Sequence, residues 1–190
     1  MKRAHVCILS AAVVLCLNRV ALAQDVAQNG AQGVATATAQ IAGCTDPNIR
    51  GRAVLIEKPS SEGVKEVVVT LSMHGLPPGK HGVHIHEAAS CTPCAAALGH
   101  FDPGPNGNSS PDGNHPFHTG DLINIRANSH GNGAMVFVTS RITLSAGPLS
   151  VFDANGSALI VHVGEDTYCP DGPTAACAGG ARAACGVIRE

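Results

Sequence analysis

The sequence predicts an all-β fold of eight short strands carrying two long loops. Three observations predict it. Short apolar and β-branched runs recur between turn-rich segments. Glycine and proline number 22 and 12 among 190 residues, which suits many tight connections and disfavours a helical bundle. No segment carries a sustained helical period with capping residues. The length predicts one domain.

The chain opens with Lys2 and Arg3, an apolar run from Val6 to Leu17, and Ala21-Leu22-Ala23. A basic start, a short apolar stretch and small residues at the cleavage positions predict a secretory signal peptide over 1–23. The apolar run is too short for a membrane anchor. Residues 24–34 read as a mobile, polar N-terminal lead, and 35–190 as the β-barrel domain. Strands are expected near 35–42, 50–58, 64–73, 80–87, 121–127, 133–139, 157–163 and 184–188. Asp46-Pro47-Asn48, Leu76-Pro77-Pro78-Gly79 and Asn128-Ser129-His130-Gly131 supply turns between them. Val67-Val68-Val69-Thr70-Leu71 is short, β-branched and flanked by turns, hence strand rather than helix.

Removing the signal takes Lys2, Arg3 and Arg19 with it and leaves nine basic residues against fourteen acidic ones, a net charge of −5. That balance argues against nucleic acid or an anionic membrane surface as partner. Cys7 and Cys16 also leave, so eight cysteines become six. An even number in an exported chain points to disulfides. Export is expected to the periplasm or the extracellular space, since both begin with the same signal.

Gly82-Val83-His84-Ile85-His86-Glu87 carries the chemistry. Residues two apart on a strand share a face, so His84 and His86 present two imidazoles side by side. Imidazole suits copper, zinc, nickel or iron. Two long segments, 88–120 and 164–181, interrupt the strands, and loops of that length are usually functional. The first holds His100 in Gly99-His100-Phe101-Asp102-Pro103, then His115, His118 and Asp121. His162 ends the apolar run Ala158-Leu159-Ile160-Val161, and Arg182 precedes Ala183-Ala184-Cys185.

This ordered set resembles the copper–zinc superoxide dismutase family over roughly residues 35–190. The resemblance implies an eight-stranded antiparallel Greek-key barrel or flattened sandwich. It implies dismutation of superoxide at copper bridged by a histidine to zinc. Copper would be held by His84, His86, His100 and His162. Zinc would be held by His100, His118 and Asp121. His100 would be the bridge and Arg182 the docking group for the superoxide anion. Asp166 would link the two metal sites, Cys91–Cys185 would tie the first loop to the last strand, and His81 would be structural. A homodimer is compatible with the family.

Three departures stand out. The family usually places a zinc histidine eight or nine residues after the bridging one, where this chain has Asn108 and Ser109. His115 is the nearest substitute, and four-coordinate closure of structural zinc favours it over water. The loop from Gly164 to Ala181 holds Glu165, Asp166 and Asp171 but no lysine or arginine, which reduces steering unless Lys80 compensates. Cys44, Cys94, Cys169 and Cys177 lie outside the family pattern and allow three connectivities. One of these, Cys169–Cys177 with Cys44–Cys94, would close a tight loop around Pro170 to Ala176. The alternative function is a redox-inactive copper- or zinc-binding module. A zinc hydrolase would need an open zinc position and a general base; Asp102 and Glu87 are at hand, but no His-Glu-x-x-His signature is present.

Overall fold

The computed structural model describes residues 34–59, 63–104 and 113–190. The expected signal peptide, the lead except Val34, and Asn108 and Ser109 lie outside the described residues.

Within them the chain forms strands β1 (Thr36–Gly43), β2 (Arg50–Pro59), β3 (Lys65–His74), β4 (Gly79–His81) and β5 (Val83–His86). They are followed by β6 (Ile125–Ala127), β7 (Gly133–Thr139), β8 (Ala158–His162) and β9 (Arg182–Val187). All pairings are antiparallel, in the order β4-β6-β7-β3-β2-β1-β9-β8-β5. β4 and β5 are consecutive in the chain yet occupy the two ends of the sheet. The sheet therefore curls until its ends nearly meet, and crossovers from β3 to β4 and from β7 to β8 give it Greek-key connectivity.

Nine strands stand where eight are expected, because the run 80–87 divides at Gly82. The Gly82 amide donates to Gly164 O at 2.9 Å and its carbonyl accepts from His162 N at 2.8 Å, so its backbone bonds go to the second long loop and the end of β8. The expected strand 121–127 contracts to Ile125–Ala127, since Asp121 turns back onto His118 O.

Alternation fills the barrel as the pleat demands. Ala37, Ala39 and Ile41 of β1 and Val67, Val69, Leu71 and Met73 of β3 point inward. With few aromatics, the core rests on aliphatic side chains such as Leu55, Ile85, Ile125 and Leu159, together with Phe101. Burying each contributes about 1.5–3 kcal/mol. β5 and β8 are buried on both faces. Their inner faces belong to the core and their outer faces lie beneath the loops.

Cys91 is bonded to Cys185, Cys44 to Cys94, and Cys169 to Cys177. The first joins residues 94 apart, worth roughly 4–5 kcal/mol in the chain-entropy account of disulfides. It fastens the first long loop to β9. Cys44–Cys94 fastens the same loop to the segment following β1, and Cys169–Cys177 closes a turn inside the second loop.

Candidate metal centre

The pleat of β5 turns Val83 and Ile85 into the core and His84 and His86 to the outer face. One edge of β5 pairs with β8. The other meets the first long loop, through bridges His84 to Asp121 and His86 to His100. Gly120 lets the loop approach so closely: a Cβ there would lie 2.4 Å from Ile85 O. On the far side a register shift in the β8–β9 ladder sets His162 opposite Arg182. Bulges of this kind re-aim side chains beside functional sites.

Each imidazole is anchored by one nitrogen and offers the other. His86 Nδ1 donates to Leu98 O and His162 Nδ1 donates to Gly180 O, both at 2.8 Å. A carbonyl can only accept, so these nitrogens carry the protons and the Nε2 lone pairs are left free. His84 Nε2 donates to Asp166 Oδ2 at 3.0 Å, which frees its Nδ1; His115 Nε2 donates to Asp166 Oδ1 at 2.9 Å, which turns its Nδ1 toward Asp121 Oδ1, 3.2 Å away. His84 Nδ1, His86 Nε2, His115 Nδ1, His118 Nε2 and His162 Nε2 are all buried without a hydrogen-bond partner. Buried polar atoms are seldom left unpaired, and five in one cluster mark a place for a ligand.

His84, His86, His100 and His162 each bring one ligand atom within 4.8 Å of the others. His84, His100, His115 and Asp121 form a second such set. His118 stands outside that second set and adjoins it through Asp121, with Nδ1 3.1 Å from Oδ2. His100 belongs to both sets and places Nδ1 2.6 Å from Asp121 Oδ1. Donors in sets of this kind fit copper and zinc: imidazoles for either, with a carboxylate on one side only.

The electrostatics follow from burial. Burial, reinforced by the neighbouring imidazoles, holds His86 well below the usual histidine value, His100 at about 4 and His162 at about 3. These rings are neutral, as metal ligation requires. Burial also disfavours the cation at His115, but contact with Asp121 and Asp166 outweighs it and raises the group to about 9. Burial pushes Asp121 and Asp166 up, yet their histidine contacts dominate and bring both below the ordinary carboxylate range.

Arg182 donates from Nη1 to Cys94 O and from Nη2 to Leu98 O. Lys80 does not supply a free positive charge at the site: its ammonium is paired with Glu165. His81 is buried between Pro77 O and His162 O, at 2.8 and 2.9 Å. His74 and His130 lie apart from the cluster on the exposed surface.

Sequence reasoning missed Asn124, which accepts from Asp166 N and donates to Asp166 O, both at 2.8 Å. A lone amide inside Leu122-Ile123-Asn124-Ile125 was the signal available. It also missed the carbonyls of Leu98 and Gly180, for which a sequence carries no signal.

Residues 49–188 match the copper/zinc superoxide dismutase family, and the chain belongs to that family. It is 37% identical over 151 residues to superoxide dismutase [Cu-Zn] 2 of Aquifex aeolicus, covering 76% of this chain and 82% of that protein. It is 36% identical over 148 residues to the superoxide dismutase [Cu-Zn] of Brucella abortus, covering 73% and 78%. Among solved structures it resembles the clock protein EA4, with a TM-score of 0.63 and 27% identity over 84% of this chain and 96% of that one.

Proposed function

We propose that this chain is an oxidoreductase carrying copper and zinc that dismutes superoxide: two superoxide anions and two protons give one dioxygen and one hydrogen peroxide. The observation that carries this reading is the cluster of five unpartnered imidazole nitrogens beside an arginine. His84, His86, His100 and His162 are assigned to copper. His100, His115, His118 and Asp121 are assigned to zinc, with His115 taking the place left by Asn108 and Ser109. Asp166 orients His84 and His115 from outside both metals.

Copper bound here supplies one-electron oxidation and reduction, and zinc, which has no redox chemistry, supplies fixed charge. Arg182 binds and orients the substrate: its guanidinium is planar and stays charged although burial lowers its pKa. His100 keeps Nδ1 against Asp121 and turns Nε2 to the all-histidine set; a proton taken from solvent at Nε2, when that nitrogen holds no metal, would be passed to the reduced oxygen species. Leu98 O and Gly180 O keep His86 and His162 in one tautomer and prevent their rotation.

Export follows from the expected signal peptide over 1–23 and is supported by three disulfides and by the bacterial relatives. The mature domain is taken as 35–190, preceded by the lead 24–34, in the periplasm or outside the cell. Superoxide is the partner assigned; neither nucleic acid nor a membrane is. Among the described residues no helix is long and apolar enough to cross a membrane.

The test is superoxide consumption by the metal-loaded protein, with dioxygen and peroxide both quantified. One of each per two superoxide anions is the expected yield. Tight metal binding with no consumption would leave the redox-inactive module, a reading disfavoured by the position of Arg182 opposite His162.

A further inference from the structure

Asp166 is held from three directions. Asn124 grips its amide and carbonyl, and donates as well to the Tyr168 hydroxyl at 3.2 Å. Asp166 also pairs with Ala178 across a short antiparallel bridge, beside a Thr167 N to Cys177 O bond of 2.8 Å. The third contact reaches the carboxylate itself: Tyr168 N donates to Asp166 Oδ1 at 2.7 Å, the oxygen that also accepts from His115.

Beyond that contact the backbone takes an unfavourable course. Tyr168 and Cys169 both adopt left-handed conformations, with φ of 60° and 49°. Side chains other than glycine disfavour this region, and two in succession need an external restraint. The Cys169–Cys177 bridge supplies one, joining the second of these residues to the segment that meets Asp166 and Thr167. Neither cysteine belongs to the copper or zinc donor set. Their loop reaches the copper set through Gly180, whose amide donates to Ala175 O and whose carbonyl anchors His162, and it reaches His115 through the Asp166 carboxylate.

We propose that the Cys169–Cys177 bridge is a positioning device for Asp166. It holds the turn from Asp166 to Cys169 against Cys177 and Ala178, so that the Tyr168 amide meets the carboxylate, and the carboxylate in turn fixes His115 for zinc. This matters for His115 in particular, because Asp166 is the hydrogen-bond partner of its Nε2 and its Nδ1 is the atom offered to metal. The inference rests on the zinc assignment proposed above.

The test measures zinc affinity of the copper-free protein by competition with a chromophoric chelator. Asp166→Asn weakens zinc by about 10–100-fold, the usual effect of losing a partner of a ligating histidine. Cys169→Ser with Cys177→Ser weakens it by about tenfold, within the same range. Combined with Asp166→Asn, the serine pair adds nothing, because it acts through the same carboxylate. Cys169→Gly with Cys177→Ser retains more zinc than the serine pair, since glycine adopts the left-handed turn freely. Should the serine pair fold poorly, the glycine pair carries the test: it still loses some zinc affinity relative to the parent protein, and loses none further when combined with Asp166→Asn. Serine and glycine pairs that leave zinc affinity unchanged, or that multiply the effect of Asp166→Asn, would overturn the inference and leave a bridge that merely stabilises its loop. If Asp166→Asn itself leaves zinc unchanged, the role of Asp166 at the zinc site fails first and the inference falls with it.

Discussion

His86 and Arg182 converge on one acceptor, the carbonyl of Leu98, to which His86 Nδ1 donates at 2.8 Å and Arg182 Nη2 also donates. One peptide group therefore fixes an imidazole of the all-histidine set and the guanidinium assigned to the substrate. The distance between them is set by backbone, four residues beyond the disulfide-tied Cys94. Arg182→Lys keeps the charge but loses the fork that reaches Cys94 O and Leu98 O together. It is expected to lower kcat/KM by about 10–100-fold, the value of one or two charge-assisted hydrogen bonds, with copper and zinc contents unchanged. Stopped-flow superoxide decay and elemental analysis on the same sample check both halves.

Leu98 itself has a φ of 62° and a ψ of −151°, a region that suits glycine and strains leucine. Its side chain is 53% exposed, so little burial compensates. Relief of about 1–3 kcal/mol of strain exceeds the extra flexibility glycine brings to the unfolded chain, about 0.5–1 kcal/mol. Leu98→Gly is therefore expected to stabilise the protein by about 1 kcal/mol while Arg182 stays docked, since the acceptor is main chain. Denaturant unfolding reads the stability. A destabilised Leu98→Gly would mean that the leucine side chain makes contacts worth more than the strain.

The metal-free chain should be most stable near pH 6.5. Below that value the unfolded chain protonates its histidines, whereas the folded chain keeps His100 neutral down to about 4 and His162 down to about 3. The unfolded state then binds more protons, and stability falls as the pH falls. The lowered carboxylates of Asp121 and Asp166 add to the loss at the acid end. His115 acts in the opposite sense: its folded value of about 9 lies above the unfolded value, so its contribution is lost as the pH rises from about 6.5 through 9. Urea midpoints of metal-free protein between pH 4 and 9 should trace a maximum. A steady rise across that range would show that His115 is not held as a cation.

His115→Ala separates the two donor sets. His115 touches Asp121 and Asp166 but is absent from the set of His84, His86, His100 and His162. The substitution should weaken zinc by more than about 100-fold, beyond the loss of an outer partner, and leave copper bound. Metal analysis after dialysis against a chelator reads it directly.

Much of this centre was legible in the sequence because its signals are local. A strand period of two places His84 and His86 on one face. His118-Thr119-Gly120-Asp121 is a compact unit whose glycine is needed for loop approach. The division of the 80–87 run at Gly82 was not legible, since it depends on hydrogen bonds to Gly164 and His162, some 80 residues distant. The pairing of Lys80 with Glu165 was hidden for the same reason, which left Lys80 reading as a free cation. The anchors of His86 and His162 are main-chain carbonyls, and any residue type at positions 98 and 180 could have supplied them.

Two adjacent metals sharing His100, one of them redox-active and open to superoxide, would tie metal content to activity. Copper and zinc should be measured by elemental analysis on the purified mature chain, and superoxide removal assayed on that same sample. One copper and one zinc per chain with rapid removal is the expected result. Full copper occupancy without superoxide removal would contradict it.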